Sequence, residues 1–311
     1  MNRDTRRALR RTLAIALVTS ALAWVAWGIW REAGRTDWST LHPDPGPLAA
    51  AASILAAAYL FRASLFNHVV RSMGEPIRWI DGWRIFLGAQ LGRYLPGKVW
   101  QIAGASAMAA RYGVSGAAAG TATLVAVLVH HVVGGALSLF ALGELSPGGA
   151  WTGAAVAGAA VLGLAAIASP LFGRSLRWLA TKTGREGLSK VEPPSLRALL
   201  WVTPGYAIVW LAFALALALV ARGLFPSVAW LSPATAIGAM AASALAGFLV
   251  LVAPSGLGVR EAVLVALLGP ALGVVPASLV AFGLRLLMTL IELSLSLWGA
   301  WPHLRAREVE R

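Results

Sequence analysis

Long apolar runs recur along this chain, divided by short stretches that carry arginine. Six runs, at about 13–30, 48–70, 114–142, 151–172, 198–221 and 275–300, suffice for a helix to cross a hydrocarbon layer of roughly 30 Å. Two further runs are broken. GRYLPGKVWQ (Gly92–Gln101) cuts the segment at about 85–110, and LVAPSGLGVRE (Leu251–Glu261) cuts the one at about 233–270. The runs are continuous Ala, Leu and Val rather than alternating, which predicts helices and excludes a β-barrel.

Composition agrees with that pattern. The 311 residues are 58% hydrophobic and 13% charged, whereas a soluble domain carries about 25% charged residues. Mean hydropathy is +0.72. A net charge of +13 would suggest nucleic acid in a soluble protein. Here the arginines cluster in short loops, where they set topology and meet anionic headgroups, so nucleic acid is not an expected partner. No cysteine is present, which excludes disulfides, thiolate metal sites and thiol nucleophiles.

Charge placement orients the chain through the positive-inside rule. Arg3, Arg6, Arg7, Arg10 and Arg11 put the N-terminus in the cytoplasm, and the run after them reads as a retained helix rather than a cleaved signal. Three more regions belong inside: the loop with Arg71, Arg78 and Arg84; the loop 174–197; and the C-terminus with Arg305, Arg307 and Arg311. Loop 174–197 holds Arg174, Arg177, Lys182, Arg185, Lys190 and Arg197. Segments 31–47, 143–150 and 222–232 are poor in positive charge and belong outside. The scheme closes only if each broken segment enters and leaves on one side. Both are therefore expected to be re-entrant, the first from the cytoplasmic face and the second from the outer face.

The expected fold is an all-α polytopic membrane protein with six full transmembrane helices and two re-entrant broken-helix hairpins. Span, span, re-entrant, span describes each half. The expectation is a first repeat over 1–147 and a second, inverted repeat over 148–311. Broken segments at matching places in two inverted halves point to a substrate site where the repeats join. Tryptophans support the boundaries: Trp27, Trp30, Trp38, Trp151 and Trp230 fall at outer edges, and Trp79, Trp83, Trp178, Trp201, Trp298 and Trp301 at inner edges. Trp100 and Trp210 do not fit such a belt. Gly116 and Gly120 form a small-xxx-small pair suited to helix packing.

The breaks hold the chemistry. Pro254, Gly256 and Gly258 interrupt the second run, and Gly258 with Glu261 three residues on predicts a helix restarting at Val259. The positive end of that helix, with Arg260, suits an anion. In the first break, Pro96 and Gly97 disrupt the helix between Arg93 and Lys98, with Gln90 and Gln101 adding amides. A purely structural network, or snorkelling of Arg93 and Lys98 to lipid phosphates, is the competing reading. Glu292 is expected to pair with Arg62, and Glu261 with Arg285. His130 and His131 point about 100° apart on a helix, too far for one metal ion, and read as helix–helix hydrogen bonding. Catalytic motifs, metal sites and cofactors are not expected. Gly104-Ala105-Ser106-Ala107 is a faint intramembrane-protease pattern of the kind small-residue runs produce by chance.

At GRYLPGKVWQ and APSGLGVREAVLVALL the chain resembles the transmembrane-region family of lysylphosphatidylglycerol synthases, flippase-like integral membrane proteins. The resemblance implies a module that moves charged lipids or lipid-linked precursors between leaflets of a bacterial-type inner membrane. Larger members add a cytoplasmic synthase domain. The chain ends at Arg311, shortly after its last span, so synthase activity is not expected. The family-like positions are Arg93, Pro96, Gly97, Lys98, Pro254, Gly256, Gly258, Arg260 and Glu261. Expected function is a non-enzymatic flippase or scramblase for a phosphate-bearing lipid, aminoacylated lipids included, with Arg285 beside the site. A carrier of polyprenyl-phosphate-linked sugar, working beside a glycosyltransferase or lipid-modifying enzyme, and a non-transporting scaffold stay open, as does homo-oligomer formation.

Overall fold

The computed structural model describes residues 41–95, 99–144, 161–183, 191–228, 230–250 and 254–309, with Trp27, Trp30, Gly34, Trp38 and Gly158. Among these, all regular structure is helical: α1 Pro45–Ser72, α2 Trp79–Ala89, α3 Trp100–Ala109, α4 Gly116–Glu144, α5 Pro170–Thr183, α6 Leu196–Leu224, α7 Pro233–Leu249, α8 Val259–Leu272 and α9 Val274–Val309. Four helices are long and apolar enough to cross a membrane: Pro45–Ser72, Gly116–Ala141, Leu196–Leu224 and Val274–Pro302. They cover the expected spans at 48–70, 114–142, 198–221 and 275–300. The other two expected spans, 13–30 and 151–172, lie wholly or partly outside the described residues.

Local signals explain where the helices start. Asp44 accepts the Gly46 N–H at 2.9 Å ahead of α1, with Pro45 at the first helical position. Ser115 caps α4 through the Ala118 N–H at 3.3 Å, and Ser195 caps α6 through Ala198 at 3.2 Å. Ser232 caps α7 through Thr235 at 3.0 Å, again followed by proline.

The chain divides into two compact units: Met1–Ala56 with Leu137–Ala150 and Trp210–Ile291, and Ala57–Ala136 with Trp151–Val209 and Glu292–Arg311. Unit 1 contains α7 and α8. These pack against each other, and the turn between them closes on α7, where a Cβ on Gly256 would stand 2.7 Å from the Gly247 Cα. Trp210 is buried in this unit and meets Phe213 edge-to-face at 6.0 Å, which explains why it stands apart from the tryptophan belt.

Unit 2 contains α2 and α3. Their contacts run antiparallel, from Gly92 against Trp100 to Gly88 against Met108. The turn into α2 is fastened by Asn67, whose amide donates to the Trp79 carbonyl at 2.9 Å, and by Arg71, whose guanidinium donates to the Ile77 carbonyl. Gly116 and Gly120 of α4 close on Ser106 of α3: a Cβ on Gly116 would stand 2.7 Å from the Ser106 carbonyl oxygen. The small-xxx-small pair is thus a packing contact, and Ser106 is its counterpart. Glycine also lets α2 and α9 touch backbone to backbone, since a Cβ on Gly299 would lie 2.6 Å from the Gly88 nitrogen.

Candidate functional site

In unit 1 the chain leaves α7 at Leu249 and turns through Pro254–Gly256 before α8 begins at Val259. Ser255 has φ +53° and Gly256 φ +70°, and Gly258, the N-cap of α8, has φ +80°. Side chains other than glycine's rarely accept such angles. Helix α8 therefore restarts where the Gly258–Glu261 pattern predicts. Glu261 turns back and accepts the Gly258 N–H at 2.7 Å. Glycine has no side chain to return that bond, so only half of a capping box exists.

Glu261 is 2% exposed. Its other oxygen lies 3.5 Å from Nε of Arg285, as the sequence pairing predicts. Arg285 also donates to the Ser255 carbonyl at 3.2 Å and so ties α9 to the strained turn. Arg260 points elsewhere, its stem packed across Gly247. The helix end expected to attract an external anion thus already holds the chain's own carboxylate. Of the candidates here, Gly256, Gly258, Glu261 and Arg285 form one network, and Arg260 lies beside it.

In unit 2 the chain tightens after α2 into a 3₁₀ turn, Gln90–Tyr94. Pro96, Gly97 and Lys98 lie outside the described residues. The turn extends α2 antiparallel to α9, from the Gly88–Gly299 contact to Arg93 and Tyr94 beside Glu292. Arg93 Nη1 donates to Glu292 Oε1, and the Tyr94 hydroxyl donates to Glu292 Oε2 at 3.1 Å. This corrects the expected Glu292–Arg62 pair. The two groups lie in range of each other's charge, but the 3₁₀ turn brings Arg93 to the carboxylate first.

Arg62 is 7% exposed and its Nε has no hydrogen-bond partner. Among the described residues it has no ion pair. It lies over the rings of Tyr59 and Phe86, at 5.9 and 5.8 Å from their centroids. Desolvating an ion costs several kcal/mol, while a ring contact returns about 0.5–2 kcal/mol. The rings therefore leave Arg62 largely uncompensated. Tyr206 of α6, fully buried, lies within electrostatic range, and its hydroxyl also lacks a partner. The ring of His130 packs against it at 5.6 Å. His131 donates from Nδ1 to the Val127 carbonyl, 2.7 Å away in its own helix.

Sequence reasoning gave Arg62 only a pairing role and passed over Tyr94 and Tyr206. A charged residue inside an apolar run was the signal for Arg62. The two tyrosines carry no signal of their own.

Long apolar helices with buried ion pairs at two helix breaks define a multi-pass helical membrane protein. More particularly, the chain belongs to the family described as the lysylphosphatidylglycerol synthase transmembrane region, which it matches over residues 11–293. No curated protein matches it.

Proposed function

We propose that this protein is a carrier, not an enzyme, that moves a phosphate-bearing lipid between the leaflets of an inner, cytoplasmic membrane. The observation that carries the reading is the buried Arg62, without an ion pair among the described residues, in a member of this family. Charge at membrane depth is expensive and marks substrate pathways. Arginine's planar fork suits phosphate oxygens.

In this reading the α2–α3 and α7–α8 pairs are re-entrant, six helices span, and both termini are cytoplasmic. Residues 1–147 and 148–311 form inverted repeats. Arg93 and Lys98 serve the headgroup in the first repeat. Arg260 serves it in the second, because Glu261 and Arg285 already hold each other. Acyl chains stay in the bilayer while the headgroup follows the polar residues. A substrate gradient, protons or the membrane potential supplies the drive.

The test reconstitutes purified protein in liposomes holding labelled phosphatidylglycerol, lysyl-phosphatidylglycerol or a polyprenyl phosphate. The expected result is leaflet exchange of at least one of them faster than in protein-free liposomes. Equal rates for all three would overturn the reading. Exchange of the polyprenyl phosphate alone would assign the protein to lipid-linked sugar transport.

A further inference from the structure

We propose that Arg62 and Tyr206 form a binding site for a singly charged oxyanion, the phosphodiester of a lipid. The lipid clause rests on the carrier reading above; the anion site does not.

Donors and acceptors around Glu292 in unit 2 do not balance among the described residues. Arg62 carries five N–H donors and no acceptor, and the Tyr206 hydroxyl adds a donor. Neither Arg62 Nε nor the Tyr206 hydroxyl has a partner, and both residues are more than nine-tenths buried. Glu292 is the buried carboxylate of this unit among the described residues. Both its oxygens are engaged, Oε1 by Arg93 and Oε2 by Tyr94.

Two guanidiniums thus share one carboxylate, leaving one positive charge in excess. A cation or a neutral polar group would leave that excess in place; a monoanion cancels it. The faces of Tyr59 and Phe86 attract the guanidinium but leave its Nε donor without an oxygen. A phosphodiester brings one charge and two unesterified oxygens, enough for the Arg62 fork and the Tyr206 hydroxyl.

The experiment uses full-length protein stripped of lipid in an uncharged detergent. Thermal unfolding is followed by the fluorescence of its 14 tryptophans. Three probes are titrated: dihexanoyl-phosphatidylglycerol, inorganic phosphate, and dihexanoylglycerol, which lacks the phosphate. Wild type is expected to be stabilised by the phosphatidylglycerol and not by dihexanoylglycerol.

Tyr206→Phe removes one oxygen and is expected to raise the half-effective concentration about tenfold, as for one lost hydrogen bond to a charged group. Arg62→Met is expected to abolish the response. Without lipid it should unfold no lower than wild type, because it removes an uncompensated charge. A purely structural Arg62 predicts the reverse: a lower midpoint for Arg62→Met, with the lipid response of Tyr206→Phe unchanged. That result, or a wild type indifferent to every probe, overturns the site. An equal response to inorganic phosphate at the same concentration keeps the site and overturns its lipid clause. A normal binding response without leaflet exchange in liposomes would sink the carrier reading and spare this one.

Discussion

At the break between α7 and α8, one carboxylate meets one guanidinium. Glu261 holds Arg285 and the Gly258 N–H, and Arg285 holds the Ser255 carbonyl. At the break between α2 and α3, among the described residues, one buried carboxylate answers two guanidiniums, the buried Arg62 and the part-buried Arg93. Glu292 is taken by Arg93 and Tyr94, and Arg62 is left over rings. At the first break the carboxylate and Arg285 answer each other through short-range contacts, with the part-buried Arg260 beside them. At the second, the described residues are short of one negative charge. The difference separates a buried arginine that has its carboxylate, Arg285, from a buried arginine that has none among the described residues, Arg62.

The largest expected effects come from removing either carboxylate. Glu261→Gln leaves Arg285 buried with only the Ser255 carbonyl and weakens the α8 cap. A loss of about 3–5 kcal/mol is expected, as for other buried pairs broken on one side. Glu292→Gln should cost a similar amount, since it strands Arg93 and removes the buried carboxylate in range of Arg62. The comparison lies in the rescue. Added phosphatidylglycerol is expected to restore much of the stability of Glu292→Gln and little of Glu261→Gln, measured by thermal unfolding with and without lipid. Equal rescue of both would erase the distinction between the breaks.

Backbone contact gives the next effect. A methyl group at Gly256 would collide with the Gly247 backbone, and φ +70° penalises alanine besides. Gly256→Ala is expected to cost about 1–3 kcal/mol. Gly104→Ala is the matching change in unit 2, where the new carbon would meet Ala89 at ordinary contact distance, 3.6 Å. It should cost little. Chemical denaturation of the two variants side by side checks the contrast, and a larger loss at Gly104 would contradict it.

What could be read from the sequence follows the range of each interaction. The restart at Val259 was legible because capping acts over three residues, Gly258 to Glu261. The four long helices were legible because a span's apolar length is itself the signal. The Glu261–Arg285 pair followed from placing two charged positions at similar depth. The Arg93–Glu292 pair did not, because those residues stand 199 apart in the chain. Their meeting depends on the Gly88–Gly299 contact between α2 and α9. Trp210 was visible as an exception to the belt, but its cause, burial against Phe213, was not. Depth could suggest that Arg62 needed a carboxylate. It could not show that the carboxylate was already engaged.

The smallest expected effect tests that engagement most directly. Tyr94→Phe removes a single hydroxyl from Glu292 and leaves the Arg93 pair in place. A hydrogen bond to a charged group contributes about 1.5–3 kcal/mol, but Arg62 lies in range and can take the freed oxygen. The net loss should therefore fall below that range, near 1 kcal/mol. Because Glu292 would then neutralise Arg62 in part, phosphatidylglycerol should stabilise Tyr94→Phe less than wild type. The same substitution in an Arg62→Met background should cost more, since nothing remains to take the oxygen. A double-mutant cycle by thermal unfolding measures the coupling. Strict additivity would mean that Arg62 and Tyr94 do not compete for Glu292, and the charge count behind the unit 2 site would lose its basis.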